Sequence, residues 1–216
     1  VTAIEIPDTL EGLPVTKIAD YAFDTDNYSH AHEALTSVKL PSTLEEIGQS
    51  AFDGCKNLTD VNFADCVSLT TIKEYAFQIT GFTSVTLPAS VSEIGWAAFA
   101  ACPQLMEADF TACTNLEVVE DSLFGENSQL VSVKLPESVK LINREAFAFC
   151  TALSEIDLSG CRNLTEIGEK AFYGDTALTD VKLPAGLNSV GKEAFESCTS
   201  LADLDLSVCT SLTEIG

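Results

Sequence analysis

The chain has 216 residues, 46% of them apolar and 12 of them Phe, so it carries ample material for a core. Its 33 acidic against 11 basic side chains give a net charge of −22, which repels nucleic acid and anionic lipid and excludes both as expected partners. No run approaches the ~18 consecutive apolar residues of a membrane span, so no membrane insertion of this segment is expected. The acids come singly and in pairs rather than as a tail, the pattern of a solubilising coat. The sequence opens on Val1 without a basic-then-apolar leader, which reads as a processed chain or a fragment.

The first predicted element is a strand over 1–6. It leads to Ala22-Phe23 and then to an irregular stretch, 24–34, read as an insertion that completes a first repeat over 1–34. From residue 35 the sequence repeats in alternating units of 23 and 25 residues. Strands are predicted near 35–40, 58–63, 82–87, 105–110, 130–135, 153–158, 178–183 and 201–206, nine with the first. Between strands runs L-x-x-I-G-x-x-A-F, as in Leu44–Phe52 and Leu164–Phe172. There a short extended piece is expected at the Ile, then one helical or 3₁₀ turn with the Phe plugging the core.

The period is carried by Phe23, Phe52, Phe77, Phe99, Phe124, Phe147, Phe172 and Phe195. After the first step the spacing alternates, so the unit is a pair of coils about 48 residues long. One member ends its strand in Leu-Pro, at Leu40-Pro41, Leu87-Pro88, Leu135-Pro136 and Leu183-Pro184; Pro stops the strand because it cannot donate to a ladder. The other reaches a cysteine: Leu58, Val61, Phe63 and Cys66 spell L-x-x-L-x-L-x-x-C, and the same frame recurs to Cys113, Cys161 and Cys209. That is the strand signature of a leucine-rich repeat, with Cys in place of Asn. Its fourth and sixth positions point to the core while the third and fifth point outward. One coil cannot bury its own apolar face, so coils must stack. The expected fold is an α/β-type solenoid, mostly β: a right-handed coil with a parallel sheet of about nine short strands on the concave face. Short extended, 3₁₀ or helical turns occupy the convex side, and the whole chain, 1–216, forms a single domain.

The motif I-G-x-x-A-F-x-x-C-x-x-L-x-x-[VI]-x-L-P, running through essentially the whole chain, resembles the BspA-type leucine-rich repeats of bacterial surface proteins. The opening Ile4–Phe23, with Gly12-Leu13-Pro14-Val15-Thr16, resembles a first repeat of that family. The resemblance implies a secreted or cell-surface protein, with protein binding and cell adhesion among the family's roles.

Eight cysteines in an exported chain would ordinarily suggest disulfides. Here the two cysteines of a coil flank a strand, and like cysteines recur every second coil, roughly 2 × 4.8 Å apart. A disulfide needs Cα atoms within about 7 Å, so buried thiols acting as small plugs are expected. No Cys pair has the short spacing of a zinc site.

Catalytic chemistry has little to start from. The two histidines, His30 and His32, lie in the insertion with Asp24, Asp26 and Glu33. This set could hold a divalent metal, although a solvated loop explains it as well. There is no Gly-rich phosphate loop, nucleophile elbow or helical His-Glu pair. No enzymatic activity, cofactor or metal is expected.

The outward strand positions are more informative. The fifth column reads Glu5, Lys39, Asn62, Thr86, Asp109, Lys134, Asp157, Lys182 and Asp205, so that each later Lys is expected between two Asp. With the third column, the later half of the face carries Glu107, Asp109, Glu155, Asp157, Asp180, Asp203 and Asp205 against Lys134 and Lys182. The candidate partner-binding set is Glu107, Asp109, Glu155, Asp157, Asp180, Lys182, Asp203 and Asp205, a surface for a basic protein such as a host-matrix or bacterial surface component. A soluble face encoded by the repeat is the plainer alternative, since the aromatic anchors Trp96, Tyr21 and Tyr75 fall on the opposite side. The function expected is an extracellular protein-interaction scaffold, with adhesion as the role it would serve, a passive stalk as the second reading and carbohydrate binding as a third. The sequence stops at Leu212–Gly216 where another Ala-Phe turn is due, so a continuing chain or end-to-end packing is expected.

Overall fold

The computed structural model describes residues 2–24 and 32–216. Each coil passes through two short strands, and stacking of coils turns these into two parallel ladders. The first comprises β1 (Ala3–Glu5), β5 (Ser37–Lys39), β7 (Asp60–Val61), β9 (Ser84–Thr86), β11 (Glu107–Asp109), β13 (Ser132–Lys134), β15 (Glu155–Asp157) and β17 (Asp180–Lys182). The second comprises β4 (Lys17–Ile18), β6 (Glu46–Ile47), β8 (Thr71–Ile72), β10 (Glu93–Ile94), β12 (Val118–Val119), β14 (Leu141–Ile142), β16 (Glu166–Ile167), β18 (Ser189–Val190) and β19 (Glu214–Ile215). A small antiparallel hairpin, β2 (Thr9–Leu10) with β3 (Leu13–Pro14), sits within the first coil. The molecule is thus a mostly-β solenoid of about eight turns with almost no helix.

Period-two alternation places the middle residue of each strand of the first ladder inward, Val38, Val85, Ala108, Val133, Ile156 and Val181, and leaves its neighbours facing out. The ninth expected strand, 201–206, runs without ladder pairing, and its Leu201, Leu204 and Leu206 are only partly buried. This coil is packed by described residues on one side alone, so its apolar positions have half the partners of an inner coil.

From Phe52 onward, the turn around each repeat phenylalanine is built from two left-handed residues, one two positions before the Phe and one two positions after it. Ser50 (φ 49°) and Gly54 (φ 73°) flank Phe52; Lys170 (φ 57°) and Gly174 (φ 75°) flank Phe172. This alternation aims every second N–H along the stack instead of back into its own turn, as a helix would. Phe52 N–H donates to the Ala76 carbonyl at 2.8 Å, with Ser50 to Glu74 and Gly54 to Gln78 on either side. The turns therefore supply a third set of rungs between coils. Inside them the phenyl rings stack nearly parallel, 5.0 Å from Phe23 to Phe52 and 5.1 Å from Phe147 to Phe172. The widest step, 6.3 Å, is from Phe99 to Phe124.

The Gly of Ile-Gly has a steric cause. A Cβ on Gly95 would lie 2.5 Å from the Glu74 nitrogen, and one on Gly168 would lie 2.8 Å from the Asn143 carbonyl carbon. The strand can approach the preceding coil this closely only without a side chain.

Candidate functional site

The sheet face carries the predicted acids where the period-two pattern puts them. Glu107 and Asp109 stand on β11, Glu155 and Asp157 on β15, Asp180 and Lys182 on β17, with side chains outward and exposed except for the half-buried Asp109. Parallel register sets Asp109 beside Lys134 and Asp157 beside Lys182. Asp203 and Asp205 are exposed but lie on the unpaired stretch 201–206, so they continue the face without being fixed by a ladder.

One sequence expectation is corrected here. Each Lys was expected between two Asp, yet the ion pairs run only to the preceding strand, Lys134 to Asp109 at 3.7 Å and Lys182 to Asp157 at 3.4 Å. The first ladder is interrupted between β13 and β15, which separates Lys134 from Asp157. In the third column, by contrast, like charges stack: Glu155 is directly beside Asp180 in register, with no lysine paired to either among the described residues. Like charges at this spacing repel.

A role missed in the sequence belongs to the fifth-column aspartates. Asp109 accepts from the Thr111 hydroxyl at 2.6 Å and the Thr111 N–H at 3.0 Å, and Asp157 treats Ser159 in the same way. Asp205 accepts from the Ser207 N–H at 2.9 Å. These are Asx turns that end the strand. The Thr111 and Ser159 hydroxyls, and the Ser207 side chain, hold the three carboxyls below the usual carboxylate range. The signal was present as Asp-x-Thr/Ser at 109–111, 157–159 and 205–207. Three of the candidate acids are therefore committed to the backbone, leaving Glu107, Glu155, Asp180 and Asp203 as the freer charges.

All eight cysteines are buried free thiols, and they do more than fill space. Cys55, Cys102, Cys150 and Cys198 donate to the carbonyls of Phe23, Phe77, Phe124 and Phe172 at 3.0–3.3 Å. Burial pushes the Cys55 thiol up to about 12 and those of Cys66, Cys102, Cys113, Cys161 and Cys198 up to about 11. A thiol so shifted is a poor nucleophile and a poor metal ligand. Of the proposed metal set, His30 and Asp26 lie outside the described residues. The His32 ring instead packs edge-on against Phe23 at 5.3 Å. Among the described residues no group of three potential ligands converges.

The turn side gathers aromatics. Tyr75 and Trp96, on adjacent coils, meet edge to face at 4.2 Å, and Phe149 meets Tyr173 at 5.3 Å. Trp96 and Phe149 remain 44% and 47% exposed, unusual for rings of this size. Sequence reasoning placed Trp96 and Tyr75 on this side but did not single out Phe149, which alternates with the buried Phe147.

The stacked coils, the left-handed Ala-Phe turns and the out-facing strand columns define a leucine-rich-repeat solenoid. The family model for the BspA-type leucine-rich-repeat region matches in six copies, over residues 16–154 and 108–216, and the chain belongs to that family. Among solved structures it is similar to the leucine-rich-repeat protein TpLRR of T. pallidum, with 27% identity, a TM-score of 0.66 and 99% of this chain covering 85% of that one. A leucine-rich-repeat protein from Bacteroides ovatus matches at 25% identity and a TM-score of 0.47, covering 100% of this chain and 80% of that one. The pneumococcal vaccine antigen PcpA matches at 21% identity and a TM-score of 0.45, over 99% of this chain and 67% of that one. No curated protein sequence matches the chain. Proteins of this fold generally serve as interaction scaffolds without catalytic activity.

Proposed function

We propose that the chain is a non-enzymatic, extracellular or cell-surface scaffold of bacterial type that binds a basic protein partner on its sheet face. The residues assigned to the partner are Glu107, Asp109, Glu155, Asp157, Asp180, Lys182, Asp203 and Asp205. The observation that carries this reading is the pairing of Glu155 with Asp180 in register. Two acids held side by side repel one another in the free protein, and a lysine or arginine from a partner would relieve that repulsion. The net charge of −22 would steer such a partner toward the surface. Family membership supports surface display, and adhesion is the role that display would serve. Neither nucleic acid nor lipid suits so acidic a face.

The test is a pull-down from host-matrix and bacterial-surface extracts with wild-type protein and with Glu155→Lys/Asp180→Lys. Loss of a captured basic protein from the double variant, with a steep salt dependence in the wild type, is the expected outcome. Equal capture by both would refute the sheet face as the binding site. No captured partner at all would favour a passive stalk that displays another domain.

A further inference from the structure

The second ladder has one break, next to the turns that carry the exposed aromatics. The second ladder is unbroken from β4 to β10 and from β12 to β19, but β10 and β12 do not pair. The same junction holds the widest phenyl step, Phe99 to Phe124. The Ala-Phe turns themselves stay hydrogen-bonded across it, Ala97 N–H to the Asp121 carbonyl at 2.9 Å and Ala101 N–H to the Gly125 carbonyl at 2.8 Å, so what marks the place is the side chains the turns carry.

A groove of about 250 Å³ lies on the turns at this junction. Its floor is alanine, with Ala97, Ala100, Ala101 and Ala148 presenting little more than backbone and methyl groups. Tyr75 and Trp96 line one part and Phe149 another. Pockets for drug-sized ligands run to roughly 300–1,000 Å³, so this smaller space suits a single side chain. Two carboxylates join the lining, Glu126 and Glu145. Glu145 is engaged by Arg144 at 2.8 Å, whereas Glu126 is exposed and has no ion pair among the described residues.

The neighbouring turns show what such a combination holds. Lys170 Nζ sits 5.6 Å over the Tyr173 ring and 3.2 Å from Glu193, a cation shared between an aromatic face and a carboxylate. The groove repeats aromatic and carboxylate without a resident cation beside Glu126. We propose that this groove is a second binding site, which takes an arginine side chain from a basic segment of a protein partner. The guanidinium plane would stack on the Trp96 and Tyr75 rings while its N–H fork meets Glu126. Arginine suits the site better than lysine because a planar, weakly hydrated cation can use a ring and a carboxylate together. The site lies on the turns rather than the strands and does not depend on the sheet face.

Trp96 is the single tryptophan of the chain, so its emission reports directly on this groove. The probes are acetyl-arginine amide, a tri-arginine peptide and acetyl-citrulline amide, the last a neutral isostere. A saturable change in Trp96 emission with both arginine probes, weakened by salt and at least roughly fivefold weaker in Glu126→Gln, is expected. The change should persist in Glu155→Gln/Asp180→Asn, which separates this site from the sheet face. No saturable response to arginine, or an equal response to citrulline, would overturn the proposal. A saturable response to a neutral oligosaccharide but not to arginine would overturn it as well, in favour of a sugar site.

Discussion

Asn127 and Asp175 stand 48 residues apart at the same place in the repeat, three residues beyond a stacked phenylalanine, and make the same bond with different chemistry. Asn127 Oδ1 accepts the Cys102 N–H at 2.7 Å while its Nδ2 donates to the Phe99 carbonyl at 2.8 Å. Asp175 Oδ1 accepts the Cys150 N–H at 2.8 Å, but its Oδ2 is buried without a hydrogen-bond partner. A proton on Oδ2 would supply the donor that the Asn127 amide supplies. Burial accordingly pushes the Asp175 carboxyl up to about 9.

This fixes a sign for the pH dependence. An unfolded Asp titrates near ~3.9, so between about pH 4 and 9 unfolding releases a proton. The contribution of Asp175 is fully present below about pH 4, declines through neutrality and levels off above about 9. The titratable groups facing it, the Cys150 and Cys198 thiols, are themselves shifted upward by burial and stay neutral over most of that window. Asp175→Asn is expected to stabilise the protein at pH 7 by the order of 2–4 kcal/mol. Urea unfolding of both proteins at about pH 5, 7 and 9 should show the difference growing with pH; a constant difference would mean that the carboxyl is ionised in the fold.

The thiols give a second prediction. Unfolded, unreduced protein should titrate with eight free thiols, the number in the sequence. Native protein should react at least ~100-fold more slowly near neutral pH, because burial suppresses both the thiolate and access to it. Rapid labelling of Cys55 or Cys150 in native protein, located by mass spectrometry, would contradict the burial described for them.

Phe124 lies fully buried at the widest phenyl step, with Phe99 on one side and Phe147 at 5.5 Å on the other. Phe124→Ala should destabilise by about 3–5 kcal/mol. Coils interact with their neighbours alone, so the loss should also weaken coupling between the two halves. Hydrogen exchange is the check: protection should fall most on both sides of the junction, and a uniform fall along the chain would count against nearest-neighbour coupling.

Asp157 tests whether the fifth column is structural. Asp157→Ala removes the Ser159 bonds and the Lys182 pair and should destabilise by about 0.5–1.5 kcal/mol, most of it from the Ser159 bonds. Because the Asp157 carboxyl is held low, this stability is present above about pH 4 and is lost as pH falls through the folded value. In a double-mutant cycle with Ser159→Ala the effects should fall short of additive; full additivity would show that the two side chains do not act together.

Much of this was legible in the chain itself. Eight Phe in register and the two kinds of strand ending specify coils, their pairing and which residues enter the core, because stacking demands the same apolar positions in every turn. The acids of the sheet face followed from period two. The hydrogen-bonding role of the cysteines was less legible: spacing argues against disulfides, but it says nothing of a carbonyl one coil away that needs a donor.

What the sequence by itself determined is the local, repeated part: a strand, a Gly where coils touch, and a Phe turning inward, coil after coil. The tertiary structure alone decided what depends on the distance between particular coils. Only stacking sets Glu155 beside Asp180, leaves Asp175 Oδ2 without a partner, and brings Trp96 and Phe149 to one groove on the turns. A repeat encodes each coil's average neighbour, whereas these relationships arise where a particular coil departs from that average.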